Sequence, residues 1–196
     1  KRQVQGTMVS AQYVWEGEEL PLDIKELVRG TDIPVVVGGC VNYHTAMHLM
    51  RTGAAGIVVG YGATEGITTT GEVLGINVAM ATAIADAAAA RRDYMEESGG
   101  RYVHVIANGD LNSSGDIAKA IACGADAVMA GPLLAQAQEA AGKGVYWPIV
   151  AGHPANPRGA VVPVMTEYEA DDEDYDGPTL EVILHGPSSE PFGTCD

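Results

Sequence analysis

The sequence predicts an α/β fold, a (β/α)8 barrel of parallel strands joined by crossover helices. Three observations carry that prediction. Residues 102–131, YVHVIANGDLNSSGDIAKAIACGADAVMAG, read as strand, turn, helix, strand, a unit that requires parallel strands and a crossover. The same unit stands 71 residues upstream, in IPVVVGGCVNYHTAMHLMRTGAAGIVVGYG. A repeat of about 70 residues holding two strand–helix modules is the spacing of such a barrel.

In the downstream unit a β-branched run, 102–107, breaks at Asn108-Gly109-Asp110. A polar turn leads into a helix whose apolar positions are Ile117, Ala120 and Ile121. Ser113 suits the N-cap, with Asp116 three residues on, and Gly124 stands where a left-handed C-cap belongs. A second apolar run, 125–130, ends at Gly131. In the upstream copy Gly38 matches Gly109, Ala46 matches Ile117, and Leu49-Met50 matches Ala120-Ile121. Gly53-Ala54 then matches Gly124-Ala125, and Gly60 matches Gly131.

The remaining elements follow in chain order. VQGTMVS, within residues 1–10, reads as the tail of a strand entering its loop. Residues 12–30 are connecting and helical, with Leu20, Ile24, Leu27 and Val28 as the apolar stripe. Residues 60–78 form a long loop rich in glycine and threonine, and loops of that length in compact domains are usually functional or disordered. Residues 79–97 are an alanine-rich helix, closed by Gly99-Gly100. A helix is expected near 133–141, and one more strand at 179–184. Residues 1–142 are therefore assigned to the barrel, and 143–196 to an irregular carboxy-terminal segment of the same domain.

Five barrel strands are legible, near Val4, Val36, Val58, Val105 and Val128. A complete barrel needs eight strands and ~250 residues. The expectation is a fragment, or a chain that closes only against another polypeptide, because unpaired strand edges invite association. Chemistry in this fold sits where strands enter the following loops. Those loops begin at Gly38-Gly39, Gly60-Tyr61-Gly62, Asn108-Gly109-Asp110 and Gly131-Pro132.

Composition narrows the function. A formal net charge of −15 opposes nucleic acid and anionic membrane surfaces as partners. Much of it is local, since residues 167–176 hold seven acids and no base, the pattern of a solvated loop. Cys40, Cys123 and Cys195 are odd in number and widely spaced, which fits free thiols in a reducing compartment and a cytoplasmic location. No apolar run approaches the ~20 residues of a membrane-spanning helix. His44 and His48 share a helix face at i, i+4, but no HExxH frame accompanies them, so packing is the expected role.

SGDIAKAIACGADAVM, at 114–129, together with VVVGGCVNYHTAMHLMRTGAAGIVVGYG, a TTT loop and AMATAIADAAAA, resembles the IMP dehydrogenase/GMP reductase family. The likeness is strongest to its IMP dehydrogenase-related branch and runs from about Gln5 to Gly186. It implies that the chain supplies about the last half of the barrel, from the end of strand 4 to strand 8 plus a tail. It further implies a purine nucleoside monophosphate as substrate, NAD or NADP as cofactor, a monovalent cation, and a homo-oligomer, tetramer or octamer.

By the same resemblance Gly109 falls on the first glycine of the phosphate turn, with Asp110 where the second would be. Asn108 takes the place of an aspartate that holds the ribose hydroxyls. Gly131 matches a phosphate-contacting glycine, and Pro132 replaces the serine after it. Arg158-Gly159 resembles the Arg-Gly of the segment covering the nucleotide, and Gly38-Gly39, Gly60 and Gly62 fall on the cofactor side. Where the family carries a nucleophilic cysteine followed by paired threonines, this chain has Thr68-Thr69-Thr70. Threonine is a poor nucleophile without a strong base beside it. Two readings stand: a purine nucleotide oxidoreductase weakened or silenced by the missing cysteine, and a non-catalytic nucleotide-binding or assembly protein. The glycines alone also admit a plain structural role at tight turns.

Overall fold

The structure, a computed structural model, describes residues 23–61, 78–109, 111–146, 162–163 and 176–185. The strand expected near Val4 lies outside the described residues. The described elements are α1 (Ile24–Arg29), β1 (Val36–Cys40), α2 (Tyr43–Met50), β2 (Gly56–Val59), α3 (Met80–Glu97), β3 (His104–Ala107), α4 (Ser114–Ala122), β4 (Ala127–Val128), α5 (Pro132–Ala135), β5 (Val145–Tyr146), β6 (Val162–Pro163) and α6 (Leu180–His185). The chain divides into two compact units: residues 1–61, 78–109 and 120–129, and residues 62–77, 110–119 and 130–196.

The first unit holds a four-stranded sheet in the order β1-β2-β3-β4, with every neighbouring pair parallel. Sequential parallel strands with intervening helices are the architecture of the (β/α)8 barrel. Val36 stands opposite Gly56 and Gly56 opposite His104, while Ala107 pairs with Val128. The register of β1 on β2 shifts between Gly38 and Cys40. Strand β1 therefore runs two residues beyond Gly38, where the sequence placed the loop, because Cys40 regains its pairing with Val59.

Helices α2 and α3 cover the sheet. Ala46, Met47, Leu49 and Met50 are buried from α2, and Ala83, Ile84, Ala87, Ala88, Ala90 and Tyr94 from α3. Small residues on α3 let the two helices approach closely. Two polar contacts cross their outer side: Tyr43 Oη donates to Asp93 at 2.6 Å, and Arg51 makes a two-pronged bond to Glu97 at 2.9 and 2.6 Å. Ile57, Val59, Val103 and Val105 have no exposed surface. Each such side chain contributes roughly 1.5–3 kcal/mol of burial.

Ser113 caps α4 as expected, taking the Asp116 amide at 3.2 Å, and the structure adds two further caps. Asn42 accepts from the Thr45 amide at 2.9 Å at the start of α2, and Asp23 accepts from Lys25 and Glu26 at the start of α1. Gly53 and Gly124, matched in the repeat, both adopt left-handed conformations, at φ +96° and +112°. One expected core position fails. Ile121 is 46% exposed, although its partner in the repeat, Met50, is fully buried. In α1, Leu27 is likewise exposed while Ile24 is buried.

In the second unit, Leu133, Ala137 and Ile183 form a small buried cluster, with Ile117 and Ala140 packed against it. The helix expected near 133–141 is shorter, Pro132–Ala135, and turns follow it. The strand expected at 179–184 is a helix, Leu180–His185. A six-residue apolar run fits either state, and local bonding decides: Thr179 caps the helix through Val182 at 3.3 Å, and Glu139 accepts from the Leu180 amide at 2.9 Å. Ile183 alone is buried, as a helix allows and a fully buried strand does not. Strands β5 and β6 pair antiparallel. Among the described residues no helix is long and apolar enough to cross a membrane.

Candidate functional site at the carboxyl ends of the strands

In the first unit, the ends of β1, β2 and β3 bring Gly38, Gly39, Gly60, Asn108 and Gly109 to one end of the sheet. The Gly60 amide donates to the Cys40 carbonyl at 2.8 Å, and the Asn108 amide to the Val59 carbonyl at 2.7 Å. These bonds extend the ladder past the last paired residues and draw the loop starts together. A β-carbon at Gly60, already at φ +100°, would collide with the Asn108 carbonyl and lie 3.0 Å from Met80 Cε. Glycine is required there for the backbones to meet.

Gly38 and Gly39 have the same kind of reason. A β-carbon at Gly38 would stand 2.5 Å from Val58 Cβ, and one at Gly39 would strike the Gly60 carbonyl and meet Tyr61 Cδ1 at 3.0 Å. Both bare faces look onto the neighbouring strand, not into an open cradle. Those contacts give both glycines a packing role against β2.

Asn108 differs from the glycines. It is half-buried at the end of β3, and its carboxamide has no hydrogen-bond partner among the described residues. A carboxamide in that state both donates and accepts, which suits vicinal hydroxyls. Gly109, next to it, is buried at φ +156°. Tyr61, beside Gly60, is 45% exposed, an aromatic ring at the mouth of the site that the sequence marked only as part of a glycine-flanked turn. The signal was a large ring between two glycines.

Cys40 lies just beneath. It has no exposed surface, its Sγ is 3.5 Å from the Val58 carbonyl, and burial pushes its thiol up to about 12. A thiol so held is not a nucleophile near neutrality. Cys123 is partly buried, just after α4 and next to Gly124. Among the described residues no group of three His, Cys, Asp or Glu side chains gathers to hold a metal ion.

In the second unit, Gly131 packs against Tyr146: a β-carbon there would come within 3.0 Å of both Cε2 and Oη. Pro132, buried, opens α5 at a position where its missing N–H costs nothing. At the start of α4, Ser113 Oγ and the Asp116 carboxylate bond at 2.9 Å, and the Asp116 amide returns to Ser113 Oγ at 3.2 Å. The Lys119 ammonium first, then the Ser113 hydroxyl, holds the Asp116 carboxyl below its usual range. Gly62, Thr68, Thr69, Thr70, Asp110, Arg158 and Gly159 lie outside the described residues.

Comparison with known proteins places this geometry. Residues 19–153 match the IMP dehydrogenase / GMP reductase domain. The chain belongs to the IMP dehydrogenase/GMP reductase family. It is 56% identical over 193 residues to an uncharacterized oxidoreductase of Mycolicibacterium smegmatis, covering 98% of this chain and 49% of that protein. An uncharacterized oxidoreductase of Mycobacterium tuberculosis is 57% identical over 190 residues, covering 97% of this chain and 48% of its own length.

The chain thus spans about half the length of the curated relatives it matches. An inosine-5'-monophosphate dehydrogenase of Methanocaldococcus jannaschii is 43% identical over 119 residues, covering 61% of this chain and 22% of that enzyme. In three dimensions the chain resembles an IMP dehydrogenase/GMP reductase-like protein of Corynebacterium glutamicum, with a TM-score of 0.70 and 52% identity. That likeness covers 96% of this chain and 46% of the other. The family's barrel gives the parallel β1-β2-β3-β4 order its frame, and the site above occupies the carboxyl ends of consecutive barrel strands.

Proposed function

We propose that this chain forms part of a purine nucleoside monophosphate site in an oxidoreductase of the IMP dehydrogenase/GMP reductase type. The observation that carries the reading is Asn108: a half-buried carboxamide at a strand's carboxyl end, with no partner among the described residues. In a (β/α)8 barrel that end is where ligands bind. Asn108 offers both a donor and an acceptor to the ribose hydroxyls. The buried Gly109 backbone beside it is assigned to the phosphate. In the second unit, Asp110, Gly131, Pro132, Arg158 and Gly159 stand as proposed nucleotide contacts by the family resemblance alone. NAD or NADP, with a monovalent cation, is the cofactor set that membership brings to an oxidoreductase of this type. The intact assembly is a homo-oligomer.

The test is calorimetric titration of IMP and GMP into the intact protein, and into the Asn108→Leu variant. The wild type binds; the variant loses roughly ten-fold, the worth of one or two hydrogen bonds left unmade beside the strand end. Absence of binding to both nucleotides removes the reading.

A second reading is favoured by the thiols. Cys40 is sealed under the sheet's end with its pKa raised by burial to about 12, and the loop holding Thr68, Thr69 and Thr70 contains no cysteine. Covalent attack on the purine by a thiolate then has no agent in this stretch, and the protein binds nucleotide without turning it over. Nicotinamide absorbance in mixtures of IMP with NAD or NADP, and of GMP with NADPH, separates the two. Binding without hydride transfer selects the non-catalytic protein.

A further inference from the structure

We propose that Tyr61 is the residue that recognises the base: its ring is a stacking surface for a purine whose ribose is held by Asn108. The inference rests on the nucleotide reading above and names a determinant that reading does not contain.

Three observations lead to it. Tyr61 follows Gly60 at the carboxyl end of β2, and Gly60 is in backbone contact range of Asn108. Residues 61 and 108 therefore meet at a single glycine corner. Tyr61 is also 45% exposed, while Val59, two residues before it, and the nearby Cys40 are fully buried. The ring stands at the surface where a buried strand ends. Finally, Gly39 leaves room for it: the position a β-carbon would take lies 3.0 Å from Tyr61 Cδ1, so any side chain at 39 would displace the ring. Glycine at 39 is what lets the ring lie against the backbone there.

The chemistry fits a heteroaromatic base. An aromatic face stacks on any purine at a cost in side-chain entropy of only two torsions. Burial raises the Tyr61 phenol above its ordinary value, with the nearby Cys40 adding to the effect. The hydroxyl therefore stays protonated at neutral pH, and the ring carries no charge that would repel a nucleotide phosphate. Tyr61 is a positioning residue, not a nucleophile.

The experiment compares IMP with ribose 5-phosphate, which keeps the sugar and phosphate and lacks the base. Calorimetry on the wild type, Tyr61→Phe and Tyr61→Leu gives the ratio of the two affinities. The expected result is that Y61L weakens IMP roughly ten-fold and leaves ribose 5-phosphate unchanged, while Y61F keeps the wild-type ratio. Near- and far-ultraviolet circular dichroism of the variants checks that each is folded. An unchanged IMP affinity in Y61L, or an equal fall for both ligands, overturns the assignment of Tyr61 and leaves the nucleotide site standing. A wild type that binds ribose 5-phosphate as tightly as IMP also overturns it. A wild type that binds neither overturns the nucleotide reading itself.

Discussion

At Cys40 the surroundings, not the side chain, set the chemistry. The sulfur has no exposed surface, and burial holds the thiol near 12 against an ordinary value of 9.0. Iodoacetamide at pH 8 is expected to leave Cys40 unmodified in the native protein and to modify it after denaturation, as read by peptide mass mapping. Because the folded state favours the neutral thiol, stability is unaffected below pH ~9 and declines as pH rises from there toward 12, where the unfolded chain ionises and the folded one does not. Asn108 shows the complementary case. Its residue type was legible as a hydroxyl-binding candidate from the sequence, but that its carboxamide has no partner among the described residues was not, because partners come from elsewhere in the fold. Tyr61 was legible only as a ring between two glycines at a loop start; what Gly39 leaves room for was not.

Among the elements, one side chain ties three together. Asp126, just before β4, accepts from Tyr102 Oη and Arg91 Nη1, each at 2.5 Å, and from the Val105 amide at 2.8 Å. Arg91 on α3 also lies 4.9 Å over the Tyr102 ring. Burial raises the Asp126 carboxyl, and the bonds from Tyr102, Val105 and Arg91 together outweigh it, so the net shift is downward. A depressed carboxyl contributes stability above the unfolded value of about 3.9 and loses it as pH falls through the lower folded value. The Asp126→Asn variant should therefore lose stability at neutral pH and show a flatter decline below pH ~4 than the wild type, by thermal melts across pH 2–7. Gly124 is the element's other fixed point. At φ +112°, with Ala88 Cβ 2.6 Å from where its own would stand, Gly124→Ala meets both strain and a clash. A loss of about 1–3 kcal/mol by urea denaturation is expected.

In the first unit, the side of β1 away from β2 has no paired strand among the described residues. Ile33 and Val36 beside that edge are 72% and 47% exposed. Apolar, unpaired strand edges associate unless charge blocks them. Val36→Lys is expected to reduce concentration-dependent association of this chain, measured by sedimentation velocity. An unchanged profile would place the association elsewhere.

The sequence by itself determined the alternation of strands and helices, the parallel order, the caps at Ser113 and Gly124, and the family. These are local signals: periodicity, capping chemistry and glycine at left-handed turns need only near neighbours in the chain. Tertiary structure alone decided that Ile121 faces outward. It also decided that Gly38 and Gly39 serve strand packing, and that Cys40 is sealed while Tyr61 is open. Each of those outcomes depends on which distant backbone lies within a few ångströms, and spacing along the chain carries no record of that.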